Sequence, residues 1–150
     1  CGSGTLLIET GSLFDGAVLM GTDIAPNAVR IARENTAAAH CRATILQKDC
    51  LRFEAREPFD LIVANLPFGN RVGSHESNEA LCRGLIERLP ALLAAEGVAV
   101  LYTMEGRLLE RCLKAQRALG ISDSIRTDAG GLTPRVYFCK HIQSPMRAYK

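Results

Sequence analysis

Asn65-Leu66-Pro67-Phe68 sets a carboxamide, a carbonyl ahead of a proline and an aromatic ring on consecutive positions, directly after the apolar run 59–64. The chemistry that uses this set is methylation of an exocyclic amine. Such an amine is a poor nucleophile while its lone pair is conjugated with a ring. Two acceptors, the Asn65 side-chain oxygen and the next carbonyl, can hold both of its N–H groups. That turns the lone pair toward a methyl donor and stabilises the developing positive charge. Pro67 fixes the direction of the carbonyl, and Phe68 offers a face on which a base can stack. No strong general base is needed, because the methylated amine loses its proton readily. The competing reading is a loop with an aromatic plug.

Three other positions carry chemistry. Cys1-Gly2-Ser3-Gly4-Thr5 is a glycine-rich turn ahead of a helical stretch. Glycines there let backbone approach a ligand, and the following helix offers free N–H groups. It is neither a phosphate-binding loop ending in Gly-Lys-Thr/Ser nor a full GxGxxG, since Gly2 and Gly4 are followed by Leu7. A structural turn accounts for it equally well. Asp23 follows a short apolar run about twenty residues later, where a carboxylate can accept hydrogen bonds from ribose hydroxyls; a helix N-cap ahead of Pro26 is the alternative. The spacing from the glycine turn favours the ribose. Asp49, after the next strand, could accept from an adenine amino group, or serve as a turn carboxylate beside Lys48.

These residues need elements to place them. A helix is expected through Leu6, Leu7, Ile8 and Leu13. A strand is expected at 17–20, ended by Gly21-Thr22-Asp23, then a helix from Pro26 to about residue 40 and a strand at 43–46. The run 59–64 reads as a strand broken by the Asn65 loop. A helix from about 78 to 95 should be kinked or split by Pro90 and stopped by Gly97. A strand at 98–103 and a helix at 107–119, capped by Gly120, come next. An antiparallel pair, 121–127 and 135–141, joined by residues 128–131, closes the pattern. Strands alternating with helices specify an α/β fold with a mostly parallel sheet. Apolar interior strands suggest cover on both faces. The closing hairpin departs from a plain Rossmann repeat.

At 150 residues the chain is the size of one domain. Apolar residues make up 47% and charged residues 23%, which excludes a disordered or low-complexity chain. No apolar run is long enough to span a bilayer, and no signal-peptide pattern opens the chain. The formal charge of +2 is nearly neutral. From Arg126 onward, however, five basic residues (Arg126, Arg135, Lys140, Arg147, Lys150) face only Asp128. That stretch could touch phosphates or be a solvated edge. Six cysteines form no CxxC and no zinc spacing, so no metal is expected and they read as reduced, mostly buried thiols of a cytoplasmic protein.

In order, residues 1–5, Gly21-Thr22-Asp23, Asp49 and Asn65-Leu66-Pro67-Phe68-Gly69 resemble the motifs of class I S-adenosylmethionine-dependent methyltransferases. The tetrad is similar to the Asn/Asp-Pro-Pro-Tyr/Phe signature of those that act on amino groups. Its continuation through Asn70, Arg71, Val72, Gly73, Ser74 and His75, with Gly130-Gly131-Leu132, resembles the THUMP-associated tRNA guanine-N2 methyltransferases. The resemblance implies a Rossmann-like fold and S-adenosylmethionine as cofactor. It puts Gly2, Ser3, Gly4 and Thr5 against the methionine part, Asp23 on the ribose, Asp49 and Cys50 at the adenine, and Ile24 packed on the ring. Asn65, the Leu66 carbonyl, Pro67 and Phe68 then hold the guanine amino group, with Arg71 and His75 near the target nucleotide in RNA, most readily tRNA. Leu66 replaces the usual first proline, but the carbonyl survives that change. The family's first strand lies just upstream of Cys1, as does its THUMP domain. The chain is therefore expected to be a C-terminal fragment of a longer protein whose RNA-binding domain is N-terminal.

Other readings are an adenine-N6 or cytosine-N4 amino-methyltransferase, a non-catalytic scaffold of the same fold, and a nucleotide-dependent dehydrogenase. The intact tetrad argues against the scaffold, and the glycine spacing against the dehydrogenase.

Overall fold

The computed structural model describes residues 1–67 and 75–142, with side chains from Asn78 onward in the second stretch. Two compact units make up the chain, Cys1–Glu54 and Ala55–Lys150.

In the first unit, Gly4 takes a left-handed φ of 82° and starts α1 (Thr5–Leu13). β1 (Leu19–Asp23) runs parallel to β2 (Ala43–Gln47), with Leu19 opposite Ala43 and Asp23 opposite Gln47. Between them lies α2 (Pro26–Ala38), whose first turn accepts Pro26 because proline's missing N–H has no helical partner there. Val29 and Ala32 of α2 pack with Ile45 of β2, and Leu7 and Ala43 close this small core. The strand expected at 17–20 is displaced: Val18 is 94% exposed, and Gly21-Thr22-Asp23 continue β1 instead of ending it. The ladder to β2 holds these residues extended. Gly21 is needed there because a side chain would run into Leu7 and Cys1.

The second unit contains β3 (Phe59–Asn65), α3 (His75–Leu92), β4 (Leu93–Thr103), α4 (Gly106–Gln116), β5 (Leu119–Arg126) and β6 (Arg135–His141). The strand order is β3-β4-β6-β5. β3 and β4 are parallel, which requires the long crossover through α3. β6 is antiparallel to both of its neighbours. On one face, Ala99, Leu101 and Thr103 of β4 and Tyr137 and Cys139 of β6 are buried. The apolar edge of α4, Leu108, Leu109, Cys112 and Leu113, is buried at helical spacing. The opposite face is less covered: Leu61 is 42% and Val63 40% exposed. Cover on both faces, expected from the apolar composition, is therefore absent at β3 among the described residues.

Three boundaries also differ from expectation. α3 passes through Pro90 and ends at Leu92, so the proline sits in the last turn and does not split it. The residues beyond join β4, because Leu93 pairs with Phe59. Gly97 thus lies within a strand, at a shift of register, and a side chain there would meet the Phe59 carbonyl. Gly120 is no cap either: it lies in β5, opposite Lys140. α4 ends at Arg117 in the left-handed region, φ 61°. The Gln116 carboxamide accepts the N–H groups of Ala118 and Leu119 at 2.7 and 3.2 Å, doing the work expected of the glycine. The closing antiparallel pair forms as expected. Ala129 and Leu132 exchange backbone hydrogen bonds of 2.9 and 3.0 Å across Gly130 and Gly131, both at positive φ. This is the two-residue turn whose twist suits a hairpin.

Candidate active site

In the first unit, the candidate residues gather where the parallel strands end. Asp23 is the last residue of β1. Its Oδ2 accepts the Gly2 N–H at 2.9 Å and its Oδ1 the Ala25 N–H at 3.0 Å. Burial pushes this carboxyl up, while the Ala25 and Gly2 N–H groups that it accepts pull it down, and its pKa lies below the usual carboxylate value. The ribose and capping readings of Asp23 are compatible, since a carboxylate has about four acceptor positions.

Gly2 (φ 54°) and Gly4 (φ 82°) give the turn a backbone path that other residues rarely adopt, and the space beside Gly2 is open. The Ser3 and Thr5 hydroxyls lie 2.9 Å apart. Asn35, on α2, donates to the Ser3 carbonyl at 2.9 Å and anchors the turn. Sequence reasoning missed Asn35; its only signal was a carboxamide on the solvent side of a helix.

Ile24 is 70% exposed next to Asp23, which leaves an apolar surface free to lie against a flat ring. Asp49 caps a short 3-10 turn, Cys50–Arg52, by accepting the Leu51 N–H at 2.9 Å. The Cys50 thiol is pushed up by burial and then by the Asp49 charge. Lys48 N–H donates to the Asp23 carbonyl at 3.0 Å, so the ends of β1 and β2 are tied together. Glycines with open backbone, a carboxylate at one strand end and a second at the next fit a nucleoside-containing cofactor.

In the second unit, Asn65 is the last residue of β3 and is exposed, opposite Tyr102 in the parallel ladder. Leu66 donates its N–H to the Tyr102 carbonyl at 2.9 Å, and its side chain is buried. Leu66 and Pro67 rest on a layer that includes Asn78, Cys82, Thr103 and Glu105. Buried Asn78 donates to Glu105 at 3.2 Å, and Glu105 N–H donates to the Thr103 hydroxyl at 2.9 Å. The gap in this layer is about 10 Å³, far too small for a base. It is therefore support for the Asn65-Leu66-Pro67 backbone, and Asn78 and Glu105 are its unforeseen members. Phe68 and Arg71 lie outside the described residues. His75 opens α3, and its side chain also lies outside them.

The fold is the Rossmann-like fold of class I methyltransferases. The chain belongs to the family described as RMKL-like, methyltransferase domain, whose pattern matches residues 1–126.

The human tRNA (guanine(6)-N(2))-methyltransferase THUMP3 is 27% identical over 153 residues, covering 91% of this chain and 30% of its own. The rRNA N(6)-adenosine-methyltransferase metl-5 of Caenorhabditis elegans is 34% identical over 76 residues, 47% of this chain and 36% of its own. This chain thus spans about a third of each relative's length. Among solved structures, TrmN from Thermus thermophilus matches with a TM-score of 0.82 and 26% identity, over 94% of this chain and 42% of that one. Magnesium protoporphyrin IX methyltransferase (ChlM) from Synechocystis PCC 6803, with bound SAM, has the same fold at a TM-score of 0.72 and 16% identity, over 95% of this chain and 67% of that one.

Proposed function

We propose that the protein methylates the exocyclic N2 amine of a guanosine in tRNA. The observation that carries this reading is the likeness to the human guanine-N2 enzyme over 91% of the chain. S-adenosylmethionine, when bound, supplies the electrophilic methyl group. Asp23 holds its ribose, the Gly2–Thr5 turn its methionine part, and Asp49 with Cys50 its adenine. The Asn65 side-chain oxygen and the Leu66 carbonyl accept the two N–H groups of the guanine amine, and Phe68 stacks on the ring. Two hydrogen bonds aimed at a nitrogen that gains positive charge stabilise the transition state more than the ground state. As the resemblance implies, the full-length protein is proposed to carry an N-terminal RNA-binding domain; the human relative is longer than this chain.

A second reading is methylation of adenosine N6 in RNA, favoured by the 34% identity to metl-5. Both amines suit the same pair of acceptors. The experiment supplies the full-length protein with labelled S-adenosylmethionine and undermodified tRNA, then identifies the labelled nucleoside. N2-methylguanosine supports the first reading and N6-methyladenosine the second; label in neither overturns the first, and the same assay with undermodified ribosomal RNA, if it too gives no label, overturns the second.

A further inference from the structure

Two arginines face each other at the turn end of the hairpin. Arg126 on β5 and Arg135 on β6 are directly opposed in the antiparallel ladder, so their side chains share a face of the sheet. At the next pair, Thr127 N–H donates to the Pro134 carbonyl at 3.0 Å. The arginine pair is therefore of the non-hydrogen-bonded type, in which side chains stand closest. Like charges opposed in this way work against the hairpin. Such a conflict between local charge and fold is expected where a site serves a ligand.

The same face carries more positive charge. Arg107 and Arg111 of α4, together with Arg135 and Thr133, line an open cleft of about 660 Å³, within the size range of ligand clefts. Its carboxylates are engaged by the protein: Glu105 accepts from Asn78, and Glu110 from the Tyr137 hydroxyl at 3.0 Å. Arg111 is paired with Glu79 at 2.9 Å. Among the described residues, no ion pair reaches Arg107, Arg126 or Arg135. The Arg135 guanidinium lies 6.0 Å from the Tyr137 ring centroid, which steadies it without neutralising it.

We infer that this face binds the phosphate backbone of the RNA substrate, with Arg126 and Arg135 clamping a phosphate and Arg107 meeting its neighbour. The inference rests on RNA being the substrate. Guanidinium forks suit phosphate oxygens, and an anion between the two arginines removes their mutual repulsion.

The test measures tRNA binding by the full-length protein across a range of salt concentrations, for the parent, the Arg126→Gln/Arg135→Gln variant, the Arg126→Lys/Arg135→Lys variant and Arg30→Gln. Arg30 is an exposed control on α2, paired with Glu34. For the glutamine variant the expectation is an affinity loss on the order of tenfold near physiological salt, with the log–log salt slope reduced by about one per arginine. Its Tm should equal or exceed the parent's, and its KM for tRNA should rise while kcat at saturating tRNA holds. The lysine variant keeps the slope, and Arg30→Gln matches the parent. Unchanged affinity and slope in the glutamine variant overturn the inference and leave the pair to a protein contact or none. A fall in Tm parallel to the fall in binding also overturns it, since the pair is then structural. If the parent methylates RNA and the arginine variants bind as it does, only this surface fails. If the parent methylates no RNA nucleoside, the functional reading fails and this inference with it.

Discussion

Asp23 ties the glycine turn to the start of α2: one carboxylate oxygen takes the Gly2 N–H at 2.9 Å and the other the Ala25 N–H at 3.0 Å. Twenty-one positions of sequence separate Asp23 from Gly2. Replacing Asp23 with Ala removes both bonds and the acceptor proposed for the cofactor ribose. Hydrogen bonds to a charged group are worth about 1.5–3 kcal/mol each, so cofactor affinity, measured calorimetrically, should fall at least tenfold. The pH dependence has a definite sign. The folded carboxyl titrates below its unfolded value of about 3.9. Its contribution to stability is therefore full above that pH and is lost as pH falls through the depressed folded value. Acid unfolding of the parent should show a component at low pH that Asp23→Asn lacks.

Asn65 stands exposed at the end of β3, away from the turn that holds Asp23 in sequence. Asn65→Ala should lower methyl transfer by about 10²–10³-fold, the usual cost of one donor or acceptor aimed at a developing charge. Cofactor affinity should stay within about twofold of the parent if Asn65, as proposed, accepts from the amine and not from the cofactor. Single-turnover assays paired with calorimetry separate the two quantities. Equal rates for variant and parent would remove Asn65 from the reaction.

Gly106, the first residue of α4, lies beneath the Tyr137 hydroxyl, and a methyl group there would overlap the phenol. Tyr137 is 2% exposed and donates to Glu110 at 3.0 Å, so it has little room to yield. Gly106→Ala should cost about 1–3 kcal/mol in denaturant melts, the range for overpacking. Adding Tyr137→Phe removes the clashing oxygen and should recover part of that loss, giving a non-additive double-mutant cycle. Additive losses would show that the contact is not made.

The cysteines should divide by reactivity. Burial and the neighbouring Cys112 thiol push Cys82 up to about 12, and burial pushes Cys139 up to about 11. Neither is a thiolate near pH 8, whereas Cys41 is only half-buried. Brief alkylation of the native protein should mark Cys41 ahead of Cys82 and Cys139, which are spared until denaturant is added, as peptide mapping would show. Early labelling of Cys139 would mean that the β4–β6 core opens readily.

What was legible in the sequence followed local chemistry. Alternating apolar runs, Pro26 at a helix start and Gly130-Gly131 at a hairpin turn each act within a few residues, and the structure places them as read. Errors arose where a distant strand decided the outcome. Gly21, Gly97 and Gly120 each looked like a stop, yet Gly21 and Gly120 are held in strands by partners 20 or more residues away, and Gly97 lies in the register shift between Leu93 and Val98, which pair with β3. Arg117 could close α4 only because Gln116 capped the chain beyond it. Asp23, Asp49 and Asn65 could be singled out as candidates because position after an apolar run is itself a sequence signal, and the structure places Asp23 and Asn65 at strand ends. Asn35, Asn78 and Glu105 were missed because their roles depend on what folds against them. The arginine pair lay between: the basic stretch was visible, while the opposition of Arg126 and Arg135 needed the register.

β6 is the last strand in the described chain, yet it lies inside the sheet, between β4 and β5. During synthesis β5 is complete before any residue of β6 exists, and β5 has no other partner in this order. The sheet therefore cannot close strand by strand as the chain leaves the ribosome. β5 and the outer margin of β4 stay without ladder partners until His141 has been made, a delay of seconds at about 5–20 residues per second. A ribosome stalled before Arg135 would hold a nascent chain with two bare strand margins, one of them along β4, the strand that steadies the Asn65 loop.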